Sequence, residues 1–487
     1  MLTKQLRQIL NIGVAFSKEK NRDKLLDQIL TEAMDLTSCD AGTLYINTGS
    51  ELEFKIMITR SNGTHQGGVG NDPISMPPVE LTEKSVCACA VLFRQLINIP
   101  DVYEDSKYDF SGPKKYDAIT GYRTQSMMVV PMEDDKENII GVMQLINALD
   151  EDGNVVPFHE DFEQILTSMG SQAAICLVNM NYSKQIEEML NSFVRTMSVA
   201  IDERTPYNAN HTRNMVRYAD KFIDWINAQN EAGVELPVKL SFTAEKKHLF
   251  LMSVWLHDIG KLVIPAEIMD KGDRLGDKKN PLLFRVEKKK LLDEIAFFKG
   301  EIDEVERNVR ADENAYLADM IKKINVSGFL TEEQNAFIEK YKDVCYEENG
   351  EKVRIFMDDD ITALMIKKGT LTDEERSIMQ SHVVMTRKLL EQMSMEGAYR
   401  QVAQWASYHH ELLNGRGYPN HLSGDEIPLE VRILTIIDVY DALTAEDRPY
   451  KPPLPKESAF AILDNMAKGG EIDERILGMF KESRAWA

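Results

Sequence analysis

Residues 249–262 read LFLMSVWLHDIGKL, an apolar helical run that ends in His257 and Asp258, with Lys261 one turn beyond. Neighbouring residues on a helix point about 100° apart, so His257 and Asp258 cannot chelate one ion symmetrically. They suit a metal cluster, in which the carboxylate bridges two ions and the imidazole is held by one. Lys261 shares a helical face with His257, and an ammonium beside such a cluster suits a phosphate oxygen.

Four further segments have the same chemistry. His409 and His410 are adjacent in ASYHHELLNGRGYP, again a pattern for two ions. Asp438 sits in the apolar helix VRILTIIDVYDAL, His211 follows PYNAN at a helix start, and His382 follows LTDEERSIMQSH. Any one of the nine histidines would be unremarkable by itself; the shared context of these five sets them apart. Imidazole and carboxylate donors without thiolate favour iron or manganese over structural zinc. Two such ions about 4 Å apart can generate hydroxide and clamp an in-line phosphoryl displacement.

Around these motifs the chain changes character. Residues 4–36 show helical apolar spacing, and GTLYI, ELEFKIMIT, SMMVVPM and NIIGVMQLINAL follow as strands, the last two joined by the charged turn EDDKEN. Leu52, Phe54, Ile56 and Ile58 repeat every second residue, and the whole segment predicts an α+β domain over 1–180. From Phe162 through Leu166, Met169, Ala173, Cys176 and Met180, then from Ile186 through Leu190, Phe193, Met197 and Ala200, apolar residues recur at steps of three and four. That seam predicts a connecting helix at 181–200 and a parallel homodimer, with a helix packed on its own domain as the alternative. Beyond 200 almost everything reads helical: an all-α domain over 201–487 with a charged helical insertion at about 272–365. LTEEQNAFI and LTDEERSIM carry capping-box signatures.

Composition sets limits. The 487 residues are 43% apolar and 28% charged, which excludes disorder, and the net charge of −22 excludes bulk binding to nucleic-acid polymers or anionic membranes. Five scattered cysteines, with Cys87 and Cys89 read as two buried small residues, fit a reducing compartment. The N-terminus lacks the apolar core of a signal peptide, and the uncharged run 164–183 reads as an amphipathic helix, so a cytoplasmic protein is expected.

HDIGK at 257–261, HHELLNGRGYP at 409–419 and DVYDALTAEDRPYK at 438–451 resemble the HD-GYP phosphodiesterases of the HD superfamily of metal-dependent phosphohydrolases, which degrade cyclic di-GMP. The resemblance covers about 200–271 and 366–470. It implies His211, His257, Asp258, His382, His409, His410 and Asp438 as ligands of two divalent ions. Asp258 and Lys261 become catalytic, Lys261, Arg448 and Lys451 bind substrate, and Gly417, Tyr418 and Pro419 form the naming motif, linked to site architecture and to contacts with diguanylate cyclase domains. Some members carry a glutamate where this chain has Tyr207, with Glu203 a further turn away, and its replacement favours two ions over three. Cyclic di-GMP is thus the expected substrate, giving linear pGpG and/or GMP. A mixed cyclic GMP-AMP, a generic nucleotide substrate and a non-catalytic receptor are the alternatives. The N-terminal segment resembles a GAF domain through GVMQLINALDEDGNVVPFHEDFEQIL. Ala148 after Asn147, and the short spacing from Phe158 to Asp161, depart from the cyclic-nucleotide-binding pattern. That leaves a sensor for an unknown small molecule or a dimerising module.

Overall fold

The computed structural model describes residues 13–70, 72–204, 210–348, 350–393, 397–445 and 453–487. The chain divides into two compact units, Met1–Met189 and Leu190–Ala487, and the division falls within one 44-residue helix, Asp161–Arg204.

The first unit is built on an eight-stranded antiparallel sheet. Its strands are β1 Cys39–Asn47, β2 Glu51–Thr59, β3 Thr64–Gly67, β4 Val79–Glu80, β5 Ile97–Ile99, β6 Met127–Glu133, β7 Ile139–Leu149 and β8 Val155–Val156. The main path runs β3-β2-β1-β7-β6-β5, with β4 beside β2 and β8 beside β7. The strands expected from the sequence fall in β1, β2, β6 and β7. The period-two run in β2 does not keep one face, however. Leu44 pairs with Ile56 but Tyr45 pairs with Phe54, so Lys55 is an extra, bulged residue. Leu52 therefore packs with Val86 and Cys87 on one face, while Ile56 packs with Leu30 and Met34 of helix Arg22–Thr37 on the other. Cys87 and Cys89 are buried free thiols, as the sequence predicts. On the face holding Leu52, a cavity of about 740 Å³ is walled by Tyr45, Phe54, Cys87, Gln144 and Ile146.

The expected dimer seam is partly consumed within this unit. Leu166, Met169 and Ala173 are buried against the sheet, and Phe162, Cys176 and Met180 pack on the same core. These six positions face the core of their own domain.

The second unit is a helical bundle. Helices His211–Glu231, Ala244–Leu256, Arg400–Ser407 and Leu429–Thr444 meet around Phe222, Phe250, Trp405 and Ile437. Buried Arg432 ties the C-terminal helix Glu474–Ser483 to this bundle. It donates to Asp473 Oδ2 at 2.9 Å and to the carbonyls of Ile427 and Gly424. Residues 272–365 enclose a separate core around Leu282, Leu317, Ile321 and Phe356. That segment is helical with one exception, an antiparallel pair, Cys345–Glu348 with Glu351–Arg354, turning at Gly350 with φ 83°. Two four-residue strands in so charged a context leave too short a period to read, although Asn349-Gly350 is a turn signal. No helix among the described residues is long and apolar enough to cross a membrane.

Both expected capping boxes form. Thr372 Oγ1 accepts from the Glu375 amide at 3.2 Å, and Glu375 returns a carboxylate oxygen to the Thr372 amide at 2.9 Å. Thr372→Ala is expected to destabilise the second unit by about 1 kcal/mol. A fall in denaturant midpoint at constant slope would register this, and an unchanged midpoint would remove the cap from the stability argument.

Candidate metal centre

The helix Ala244–Leu256 ends at His257, and the chain tightens into a 3₁₀ turn over Ile259–Val263. Asp258 lies at the junction between the helix and the turn. The turn lies so close to helix His382–Gln392 that a Cβ at Gly260 would collide with the carbonyl oxygen of His382. Thr386 fastens the contact: its Oγ1 donates to the His257 carbonyl at 3.0 Å and accepts from the Gly260 amide at 3.0 Å. His409 and His410 follow helix Arg400–Ser407, and Thr435 Oγ1 of helix Leu429–Thr444 donates to the His409 carbonyl at 2.8 Å. His211 is the first residue of its helix.

These elements bring all seven expected metal-site residues together. Asp258 is central. Its Oδ1 lies 3.5 Å from His382 Nε2 and 3.9 Å from His409 Nε2. Its Oδ2 lies 3.2 Å from His257 Nε2, 3.9 Å from His211 Nε2 and 2.6 Å from Lys261 Nζ. The ligand atoms form two sets, His382 with His409 and His410, and His211 with His257 and Asp258, each within 4.8 Å of one another. Asp438 reaches both sides, 3.4 Å from His211 Nε2 and 3.9 Å from His410 Nδ1.

The imidazoles are oriented for metal binding. Nδ1 of His257, His382 and His409 donates to the carbonyl three residues upstream, at 2.8, 2.7 and 2.7 Å. A carbonyl can only accept, so each Nε2 holds its lone pair toward the cluster. Those three Nε2 atoms and Asp258 Oδ1 are buried without a hydrogen-bond partner. Such an arrangement is costly for a purely structural cluster, and it fits a cation among the four atoms.

The electrostatics agree. Burial lowers the pKa values of His382 and His409, and that of His410 to about 4, keeping them neutral donors. Burial opposes the charge of Asp258, yet Lys261 and the surrounding imidazoles hold its carboxyl well below the usual range. Asp438 is likewise lowered against burial, chiefly by its hydrogen bond to His211. Burial would neutralise His211, but Asp438 and Asp441 outweigh it and raise its pKa to about 10. The negative field that retains this proton also attracts a divalent cation in its place.

Asp441 was not among the expected residues. Its Oδ2 accepts from His211 Nδ1 at 2.6 Å, leaving Nε2 to face the cluster. The signal was its place three residues after Asp438 on one helix face. Thr386, Thr435 and Glu411 also escaped notice. Glu411, directly after the histidine pair, accepts from the amides of Asn420 and Leu422 at 2.7 and 3.0 Å and so fastens the loop carrying Gly417, Tyr418 and Pro419. In that loop a Cβ at Gly417 would strike the backbone of residues 410–412, and the Tyr418 ring lies 4.9 Å from that of His410. Arg448, Lys451 and Tyr207 lie outside the described residues.

A cluster of imidazoles and carboxylates thus lies inside the helical bundle of the second unit, and the first unit is a separate α+β domain. Residues 21–177 match the family model of the GAF domain and residues 353–476 that of the HD domain, so the chain carries one of each. A 3′3′-cGAMP-specific phosphodiesterase 3 of Vibrio cholerae is 40% identical over 102 residues, 21% of this chain and 21% of that protein. A probable cyclic di-GMP phosphodiesterase of the same species is 35% identical over 122 residues, 24% of this chain and 27% of that protein. The cyclic di-GMP phosphodiesterase response regulator RpfG of Xanthomonas campestris is 34% identical over 137 residues, 25% of this chain and 35% of that protein. The chain spans about a fifth to a third of the length of these relatives.

Two substitutions test the supporting structure. Gly260→Ala is expected to separate the Asp258 turn from His382 and to abolish stoichiometric metal retention, measured as metal per folded chain. Asp441→Ala is expected to weaken metal affinity about 10–100-fold. Unchanged metal affinity in Asp441→Ala would show that His211 needs no orienting carboxylate.

Proposed function

We propose that the second unit is a metal-dependent phosphodiesterase that hydrolyses cyclic di-GMP to linear pGpG and/or GMP. The observation that carries this reading is the Asp258 carboxylate, which has one oxygen toward each set of histidines and the Lys261 ammonium 2.6 Å from one of them. The names of the relatives support the substrate class.

In this reading His211, His257, Asp258, His382, His409, His410 and Asp438 would hold two divalent ions, iron or manganese. Bound there, such ions supply Lewis acidity and acidify a water molecule. Overall, water adds to one phosphorus, the bond from phosphorus to the ribose 3′ oxygen breaks, and that oxygen leaves with a proton. The protein contributes position and charge. Lys261 offers a fixed cation to a non-bridging phosphate oxygen. Tyr418, beside the half-exposed His410, forms part of the wall on the side where the cluster is most open. The cavity in the GAF domain provides a place for a small effector whose binding sets the hydrolytic rate. The mixed cyclic GMP-AMP is the second reading, favoured by the name of the Vibrio relative that is 40% identical.

His257→Ala and Asp258→Ala are each expected to lose metal and turnover together. Metal content and chromatographic assay of both cyclic dinucleotides, with iron or manganese supplied, measure this. Full activity in either variant would falsify the site assignment. A metal-loaded wild type that binds but cuts neither substrate would favour a receptor.

A further inference from the structure

Arg274 stands at the stem where residues 272–365 leave the bundle of the second unit, and its side chain is 0% exposed. Its amide donates to the Asn325 carbonyl at 3.0 Å, and the Leu275 amide donates to Asn325 Oδ1 at 2.8 Å. Across the stem, Arg274 Nε donates to the Gly369 carbonyl at 3.4 Å and Nη1 to the Leu364 carbonyl at 3.2 Å. Nη2 is buried without an acceptor, and so is Nδ2 of Asn325, itself 1% exposed. A backbone amide can only donate, so Leu275 fixes Oδ1 as its partner and leaves the Asn325 NH₂ group turned elsewhere.

We infer that these two donors hold a small monovalent anion, which in chloride-containing solution is chloride. Charge decides the occupant. A guanidinium keeps its proton inside a protein, and an uncompensated buried charge is among the costliest defects a fold can carry. Among the described residues no carboxylate forms an ion pair with Arg274. The acids beside it in the stem are committed elsewhere. Asp273 pairs with Lys279 at 3.4 Å and accepts from the Gly276 amide at 2.8 Å, and Glu375 pairs with Lys271 at 2.7 Å. Leu364 closes the short helix Asp358–Leu364, whose end supplies at most about half a negative charge. A second guanidinium adds to the imbalance, since Arg376 Nη2 donates to the Lys368 carbonyl at 3.2 Å, one residue from the carbonyl that Arg274 Nε takes.

A water molecule would satisfy the two donors without meeting the charge; an anion does both. Complete burial favours a monatomic ion over an oxoanion or a nucleotide, each of which needs more donors than two side chains provide. The ion would tie together the start of the insertion, the end of helix Glu304–Val326 and the returning chain at 364–369. Helix Asp373–Gln380 follows and leads into His382. None of this depends on the chemistry at Asp258.

Thermal melting of the full chain at constant ionic strength, with sodium gluconate replaced stepwise by sodium chloride or bromide, is the test. Both halides are expected to raise the midpoint saturably, by about 2–4 °C once the site is mostly filled. Arg274→Met, similar in length and uncharged, should lose this dependence. Asp270, whose Oδ1 is buried without a partner, is the alternative counter-charge. If it plays that part, wild type shows no halide dependence and Asp270→Asn acquires one, which would overturn the inference. Should Arg274→Met fold poorly, diffraction at the bromine edge from wild-type crystals grown in bromide decides without a variant, with an anomalous peak expected beside Arg274 Nη2 and Asn325 Nδ2. A midpoint indifferent to halide in wild type, an unchanged dependence in Arg274→Met, or bromide peaks only at other points would each overturn it as well.

Discussion

The hydroxyl of Thr386 donates to the carbonyl of His257 and accepts from the amide of Gly260, and the metal centre is assembled around that pair of bonds. The contact joins residues far apart in the chain and holds the turn after a buried helix against the start of another. Because Gly260 has no side chain, the two backbones approach until Asp258 stands between His257 and His382. A bulkier residue would leave the same ligands in the sequence but separate them in space. The other supports work in the same way. Thr435 holds the backbone of His409, Glu411 holds the loop after His410, and Asp441 holds His211.

Burial turns this geometry into chemistry. Buried away from water, the imidazoles of His382, His409 and His410 lose their protons, and the carboxylates would normally gain them. Here only the first effect prevails, because Lys261 and the histidines keep Asp258 charged and His211 does the same for Asp438. The result is a pocket in which ionised oxygens face three neutral imidazoles, a donor set that suits a divalent cation. The net charge of −22 therefore says little about a small anionic substrate. A few local positive centres outweigh a diffuse field carried by solvated helices, since exposed charges more than about 10 Å away are screened.

Much of the architecture could be read in advance. Strand alternation, helical spacing and the capping boxes depend on residues within one or two turns of each other, and they located β1, β2, β6 and β7 of the first unit and the helical character of the second. Failures arose where a local pattern had two outcomes of similar energy. The bulge at Lys55 reverses which residues of β2 face which core, and nothing in the alternation marks it. The seam from Phe162 to Met180 has the spacing of a coiled coil, but a helix lying on a sheet shows nearly the same spacing. Short strands between charged helices leave too little periodicity to detect.

The same division holds at the candidate site. Sequence alone determined the donor types, since His257, Asp258, His382, His409, His410, Asp438 and His211 all stand out by chemistry and company. It also determined that no thiolate takes part, because none lies in those motifs. Tertiary structure decided which nitrogen of each ring faces inward, that Asp258 directs one oxygen to each set of histidines, and that Asp441 stands behind His211. Residue type is a local property of the chain. Direction and distance depend on contacts between segments up to 230 residues apart, as with His211 and Asp441, and packing alone brings those segments together.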